Sequence, residues 1–185
     1  MGQSKVDHEQ LMDGLVAVFQ TYGYEGASLT RLTQTTGLKR ASLYHHFSGG
    51  KNEMALAALN HVSQWFVTHI FEPLAQPGDP VQRVKAMARQ LDKFYDKGSR
   101  SCLLDTLSLG DETQDLQSHV KQATLAWIMV MAQVVQESGL AANEARQRAE
   151  TAFIQIEGAL VLARSTGDRK PFRKVLNQLP ILLLE

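Results

Sequence analysis

Cysteine is nearly absent: Cys102 is the only one in 185 residues. A single thiol excludes an internal disulfide and a cysteine-built metal cluster. No apolar run approaches the roughly 20 residues that a membrane span requires. The first residues, MGQSKVDHEQ, lack the apolar stretch of a secretory leader. A cytoplasmic protein with no membrane contact is therefore expected. Met1-Gly2 opens a myristoylation pattern, but Val6 stands where that pattern needs serine or threonine. Neither sign of charge is in excess, with 19 Lys and Arg against 19 Asp and Glu. No alternating strand pattern, internal repeat or low-complexity tract is present. Nor is there a nucleophile–base pair, a phosphate-binding loop or a set of metal ligands. The residues thus argue against an enzyme, a catalytic or metal site, and a cofactor.

What the sequence does hold is helical periodicity. Leu11, Leu15, Val18, Phe19 and Tyr22 recur at three- and four-residue spacing and predict a helix over 7–22. Ser28 is a good N-cap for a short helix that ends at Thr36, where Gly37 can take the positive φ of a tight turn. Helices follow at 39–47 and, after Gly49-Gly50, at 52–71. Pro73, Pro77, Gly78 and Pro80 mark a boundary. Beyond it the pattern predicts helices at 80–97, 103–109, 111–138, 142–166 and 171–184. The fold class is all-α. The expected layout is a first module at 1–50, a connecting helix at 51–72 and a second domain at 73–185.

The charge is unevenly spread. Residues 28–52 carry Arg31, Lys39, Arg40 and Lys51 and no acid. Helix, glycine turn and a second helix led by basic residues is the helix-turn-helix arrangement. Its second helix enters the major groove by its N-terminal residues, here Lys39, Arg40, Ala41 and Ser42. Arg40 can fork onto guanine, and Ala41 is small enough to let the helix close on the groove. Tyr44 and His45 can reach phosphate oxygens. Ser28 and Thr30 begin one helix and Lys51 the next, where free N–H groups attract phosphate. Adjacent histidines point about 100° apart on a helix, which is poor for metal. One of His45 and His46 is expected to face phosphate, assigned to His45, and the other to pack or stand half-exposed.

GYEGASLTRLTQTTGLKRASLYHHFSGGKNEM closely resembles the DNA-binding segment of the tetracycline-repressor (TetR) family of bacterial regulators. The matching residues are Gly37-Leu38, Leu43-Tyr44-His45-His46-Phe47 and Lys51. The motif covers about the first third of the chain. Ser101-Cys102-Leu103-Leu104, Glu157-Gly158-Ala159-Leu160 and Ala163-Arg164 look like the LmrA-like branch. Two departures stand out. Lys39 occupies a place where the family often has a capping serine or threonine. Thr35-Thr36 replaces a small apolar pair, which is expected to loosen packing slightly.

The resemblance implies a ligand-responsive repressor. It would bind a palindromic double-stranded DNA operator as a homodimer and leave it when a small apolar or aromatic effector binds. For the effector pocket the candidates are Trp65, His69, Phe94, Cys102, Trp127, Met131 and Phe153, with Gln155 and Glu157 as polar groups interrupting an apolar run. Each aromatic among them suits a plain core better than a ligand contact. The small face of 142–166 (Ala149, Ala152, Ile156, Ala159, Leu160, Ala163), with Leu176 and Leu179, is expected to meet the partner subunit. The opposite face, with Phe153, Ile154, Val161 and Leu162, is apolar too. An alternative is a redox-responsive regulator acting through Cys102, whose neighbour Arg100 could activate the thiol.

Overall fold

The structure is a computed structural model that describes residues 7–109 and 113–185. Among the described residues all regular structure is helical, with no strand. The helices are α1 (His8–Gly26), α2 (Leu29–Thr36), α3 (Arg40–His46), α4 (Gly50–Phe66), α5 (Glu72–Ala75), α6 (Pro80–Phe94), α7 (Leu103–Leu107), α8 (Gln114–Gln136), α9 (Ala142–Thr166) and α10 (Lys170–Leu184). The chain separates into two compact units, one of residues 1–63 and 103–121, the other of 64–102 and 122–185.

In the first unit the apolar stripe of α1 forms the core. Leu11, Leu15, Val18 and Phe19 are buried there, as are Leu32 of α2, Leu43 of α3 and Met54 and Leu59 of α4. Fully burying a side chain of this size contributes about 1.5–3 kcal/mol. α7 packs on α1, so the segment after Cys102 returns to this unit. The helical path of α1 breaks at Gly23, and a β-carbon there would meet the Thr106 carbonyl at 3.0 Å. α2 packs tightly against α1. A β-carbon on Gly14 would lie 3.1 Å from the Thr36 methyl, and the buried Thr36 hydroxyl donates to the Leu32 carbonyl at 2.7 Å. Thr36 therefore does not loosen the packing: its methyl fills the space and its hydroxyl is satisfied by the preceding turn.

In the second unit α10 lies along α9 and α6. Asp79 caps α6, its carboxylate accepting from the Val81 N–H at 3.0 Å, with Pro80 in the first turn. The helix stops at Phe94, short of the expected 97. Asp96 and Lys97 take positive φ (45° and 58°), and a single 3-10 turn follows. The Ser99 hydroxyl donates to Asp96 at 2.6 Å, which holds the Asp96 carboxyl below its usual range. The single helix expected over 52–71 is also modified. Val67–Phe71 forms a π turn, in which the Glu72 N–H reaches back to the Val67 carbonyl. Pro73 has no N–H to offer the His69 carbonyl and its ring crowds that position, so the wider turn accommodates it. Arg83, 8% exposed, forks onto the Glu137 carboxylate and donates to the Leu74 carbonyl at 2.6 Å, tying α5, α6 and the segment after α8 together.

The eight side chains expected to meet the partner subunit are turned inward instead. Ala149, Ala152, Ile156, Ala159, Leu160 and Ala163 of α9, with Leu176 and Leu179 of α10, are all buried inside the single chain. Small residues let α10 approach α9 closely, and that close packing happens within the chain. The free apolar stripe of α9 is the other one: Ile154 is 67% exposed, Val161 43% and Leu162 46%. Open space lies above Gly158 between them.

Candidate nucleic-acid interface

The helix-turn-helix forms for local reasons. The Ser28 hydroxyl accepts from the Arg31 N–H at 3.3 Å and caps α2. Gly37 ends α2 at φ 70°, ψ 2°, a left-handed conformation that costs other residues roughly 1–2 kcal/mol. Lys39 then sits at the N-cap of α3 and makes no side-chain cap bond, so the helix begins at Arg40. Leu43 and Phe47 anchor α3, 0% and 7% exposed. Gly50, at φ 69°, turns the chain into α4, and the Glu53 carboxylate accepts from the Gly49 N–H at 2.7 Å.

With Leu43 held inward, Lys39, Arg40 and Ala41 stand exposed at the free end of α3, and Ser42 is half-buried. The Arg40 guanidinium lies 5.9 Å from the centre of the Tyr44 ring. Tyr44 lines a hollow of about 240 Å³ together with Ser28, Lys51 and the Glu25 carboxylate, from which a phosphate would have to take Lys51. Three residues from three separate elements thus converge on one small site: a hydroxyl at one helix start, a phenol, and an ammonium at another helix start. This is donor chemistry suited to a phosphate oxygen. Lys51 is pre-positioned, its Nζ 4.2 Å above the Tyr24 ring and 3.8 Å from the Glu25 carboxylate. Thr30 is exposed on α2 outside this hollow.

His45 and His46 are both exposed, with ring centres 6.1 Å apart at 66°. His46 does not pack inward, because Phe47 takes the buried position at the end of α3. Among the described residues no group of three His, Cys, Asp or Glu side chains is placed to hold a metal. Arg31 does not stand out from the sequence as a DNA-facing residue. The structure fixes it over the Tyr22 ring at 4.1 Å, with its guanidinium donating to the Gly26 carbonyl at 2.6 Å. Its place in the acid-free window is the available signal.

The second unit gathers most of the candidate effector residues into one aromatic cluster. His69 stacks on Trp65, with ring centres 4.5 Å apart. Trp65 meets Phe94 at 4.6 Å, and Trp127 meets Phe153 at 5.2 Å. Phe66, absent from the sequence candidates, joins the two halves, 5.1 Å from Phe94 and 4.9 Å from Trp127. Trp127 is 1% exposed, and its indole N–H is buried without an acceptor among the described residues. Met131 is wholly buried and Glu157 half-buried. Glu157 shares the helix face of Phe153, one turn away. Gln155 does not: it is about 200° round the helix from Phe153, on the face of the exposed Thr151 and Leu162.

Cys102 is 3% exposed, and the Tyr95 hydroxyl donates to its sulfur at 3.4 Å. Burial, then the neighbouring Cys102 and Glu157, pushes the Tyr95 phenol well above its usual value. A buried thiol lacks the exposure that a reactive cysteine needs.

A helix-turn-helix with an exposed basic lead, followed by a helical unit with an aromatic interior, defines a class: DNA-binding regulators. Comparison with known proteins places it within that class. Residues 11–58 match the bacterial regulatory proteins of the tetR family, and residues 80–178 match the C-terminal domain of LmrA/YxaF-like transcriptional regulators. The chain belongs to the TetR family of bacterial transcriptional regulators, in its LmrA/YxaF-like branch. It is similar to the HTH-type transcriptional regulator LmrA of Bacillus subtilis, 24% identical over 95% of both chains. It is also similar to YxaF of the same organism, an HTH-type transcriptional regulator, 25% identical over 95% of this chain and 94% of that one. Among solved structures, a cysteine mutant of the TetR family regulator CifR, complexed with 26-bp double-stranded operator DNA, shares the fold with TM-score 0.78. That likeness covers 97% of this chain and 98% of the other at 22% identity. The family consists of transcriptional regulators and not enzymes. No helix of the described residues is long and apolar enough to cross a membrane.

Proposed function

We propose that the protein is a ligand-responsive repressor that binds a palindromic operator as a homodimer. The observation that carries this reading is the convergence of Ser28, Tyr44 and Lys51 on one hollow, with Lys39, Arg40 and Ala41 exposed at the free end of α3. In this reading α3 enters the major groove, with Arg40 reading a guanine edge and Lys39 and Ala41 setting the fit. Ser28, Tyr44 and Lys51 grip phosphate, while Thr30, Ser42 and His45 add contacts along the same strand. Two-fold symmetry places two such helices about one turn of DNA apart. The CifR complex supports the operator as target.

The exposed stripe Ile154, Val161 and Leu162 of α9, with Ile181 of α10 at 56% exposure, supplies the apolar surface for the partner subunit. The effector is a small apolar or aromatic molecule that enters the cluster of Trp65, His69, Phe94, Trp127 and Phe153, with Met131 as wall. The unsatisfied Trp127 N–H is the donor that would orient it. α4 carries Lys51 near its start and Trp65 and Phe66 at its end, so a shift of that one helix couples the two events. To release DNA, the effector must favour the non-binding state by about 1–3 kcal/mol.

The test is binding to DNA from the protein's own upstream intergenic region, over a salt series, for wild type and Arg40→Ala. The expected result is tight, salt-dependent binding whose sequence preference Arg40→Ala relaxes, at a cost of about 1–3 kcal/mol per half-site. If neither that DNA nor any fragment from a genome-wide selection binds above the non-specific level, the reading fails.

A further inference from the structure

The second unit carries a charged hollow that neither the operator face nor the aromatic cluster uses. Lys85, Arg89 and Asp92 of α6 face Arg173 and Asn177 of α10 across about 510 Å³, with Leu176 and Pro180 lining its apolar side. The volume falls in the range of small-molecule sites. On α10 the contributors recur at the three- and four-residue spacing of one helix face, and so do those on α6. Beside it a second hollow of about 400 Å³ shares Arg173 and Asn177 and adds Lys170 and Lys174.

The three cations are exposed. Lys85, Arg89 and Arg173 make no ion pair with any described residue. Among the described residues the only acid lining either hollow is Asp92, whose Oδ1 is buried without a donor. One hollow therefore holds two kinds of group: three exposed cations without an ion-pair partner among the described residues, and a single carboxylate, Asp92. An anion without hydroxyl donors would pair with the first and be repelled by the second. A ligand with an anionic group and hydroxyl donors answers both.

We propose that the hollow between α6 and α10 binds a small organic phosphate bearing hydroxyl groups. Its phosphate is held by Arg89, Arg173 and Lys85, a hydroxyl donates to Asp92, and its carbon skeleton lies against Leu176 and Pro180. Arginine forks suit phosphate geometry and give charge-assisted bonds. The site shares no residue with the operator face or the aromatic cluster, so its failure leaves the repressor reading standing.

The experiment is isothermal titration calorimetry of the full chain with ribose 5-phosphate and, separately, inorganic phosphate, at matched ionic strength. Ribose 5-phosphate is expected to bind saturably and more tightly than inorganic phosphate. Arg173→Glu should weaken both by about tenfold or more, and Lys85→Ala, at an exposed position, should weaken both several-fold while leaving the thermal melt unchanged. Asp92→Ala should abolish the preference for the sugar phosphate while leaving inorganic phosphate binding equal or tighter. The proposal is overturned by an absence of saturable heat with ribose 5-phosphate. It is equally overturned by binding that Arg173→Glu and Lys85→Ala leave intact, or by equal affinity for the two probes in the wild type.

Discussion

Replacing Lys51 by methionine keeps the length and apolar stem of the side chain and removes only its charge. In the free chain that charge lies 3.8 Å from Glu25, with side-chain exposures of 33% and 63%. An exposed ion pair of this kind contributes about 0–1 kcal/mol, so the melting temperature should hardly move. Operator binding should change in a defined way. Each cation withdrawn from a phosphate lowers the slope of log K against log salt by about 0.9, and a dimer gives up two, for a change of about 1.8. Between 50 and 200 mM salt, a fourfold span, the fall in affinity should therefore be about twelvefold smaller for the variant than for wild type. The relative preference among operator sequences should stay the same, because phosphate contacts carry no sequence information directly. Fluorescence anisotropy on a labelled operator duplex, repeated over a salt series, reads both quantities. A slope equal to that of wild type would refute the assignment of Lys51 to phosphate, and with it the role given to the hollow it shares with Ser28 and Tyr44.

Gly50→Ala should cost about 1–2 kcal/mol in chemical denaturation, since the backbone there holds φ 69°. A smaller effect would mean that the turn into α4 relaxes freely. Leu162→Glu adds a charge at a side chain 46% exposed in the single chain, so the monomer should fold normally while sedimentation shows a weakened dimer; an intact dimer would place the subunit interface elsewhere. Leu43→Ala empties a fully buried position under α3 and should cost about 2–5 kcal/mol by denaturation, with operator affinity falling too; an unchanged midpoint would mean that α3 is anchored by other residues. The Arg83 hydrogen bond lowers the Glu137 pKa. The stability this contributes is complete above the ordinary glutamate value of about 4.3 and is lost as pH falls through the lower folded value. The stability gap between wild type and Glu137→Gln should accordingly be full at neutral pH and close in acid; a gap constant down to pH 2, about two units below that ordinary value, would refute the coupling.

Several parts of this architecture are legible in the sequence because they are local. A cap, a positive-φ glycine and a three- and four-residue apolar spacing act within a few residues of themselves, so Ser28, Gly37 and the stripe Leu11, Leu15, Val18, Phe19 announce α1 and α2 directly. The recognition helix is legible for the same reason: its basic lead and its anchors Leu43 and Phe47 lie within nine residues. The end of α4 is less so. The π turn at Val67–Phe71 depends on how Pro73 is accommodated downstream, whereas the apolar periodicity simply runs through it.

Which face of α9 is free is not legible at all. Both faces are apolar, and periodicity reports that a face is apolar without saying what covers it. Small residues permit close approach, which makes them look like a subunit interface when only the sequence is known. The tertiary structure uses that same property inside the chain, where α10 takes the close-packed face and leaves Ile154, Val161 and Leu162 in solvent. The hollow that unites Ser28, Tyr44 and Lys51 is equally a matter of packing, because each residue reads as a separate phosphate ligand until α2, α3 and α4 fold together. The sequence by itself determined where most helices lie, the Ser28 and Gly37 caps of α2, and the family. Only the tertiary structure decided which apolar surfaces were covered and which charges were left to meet each other, since burial is a property of what lies opposite a residue in space.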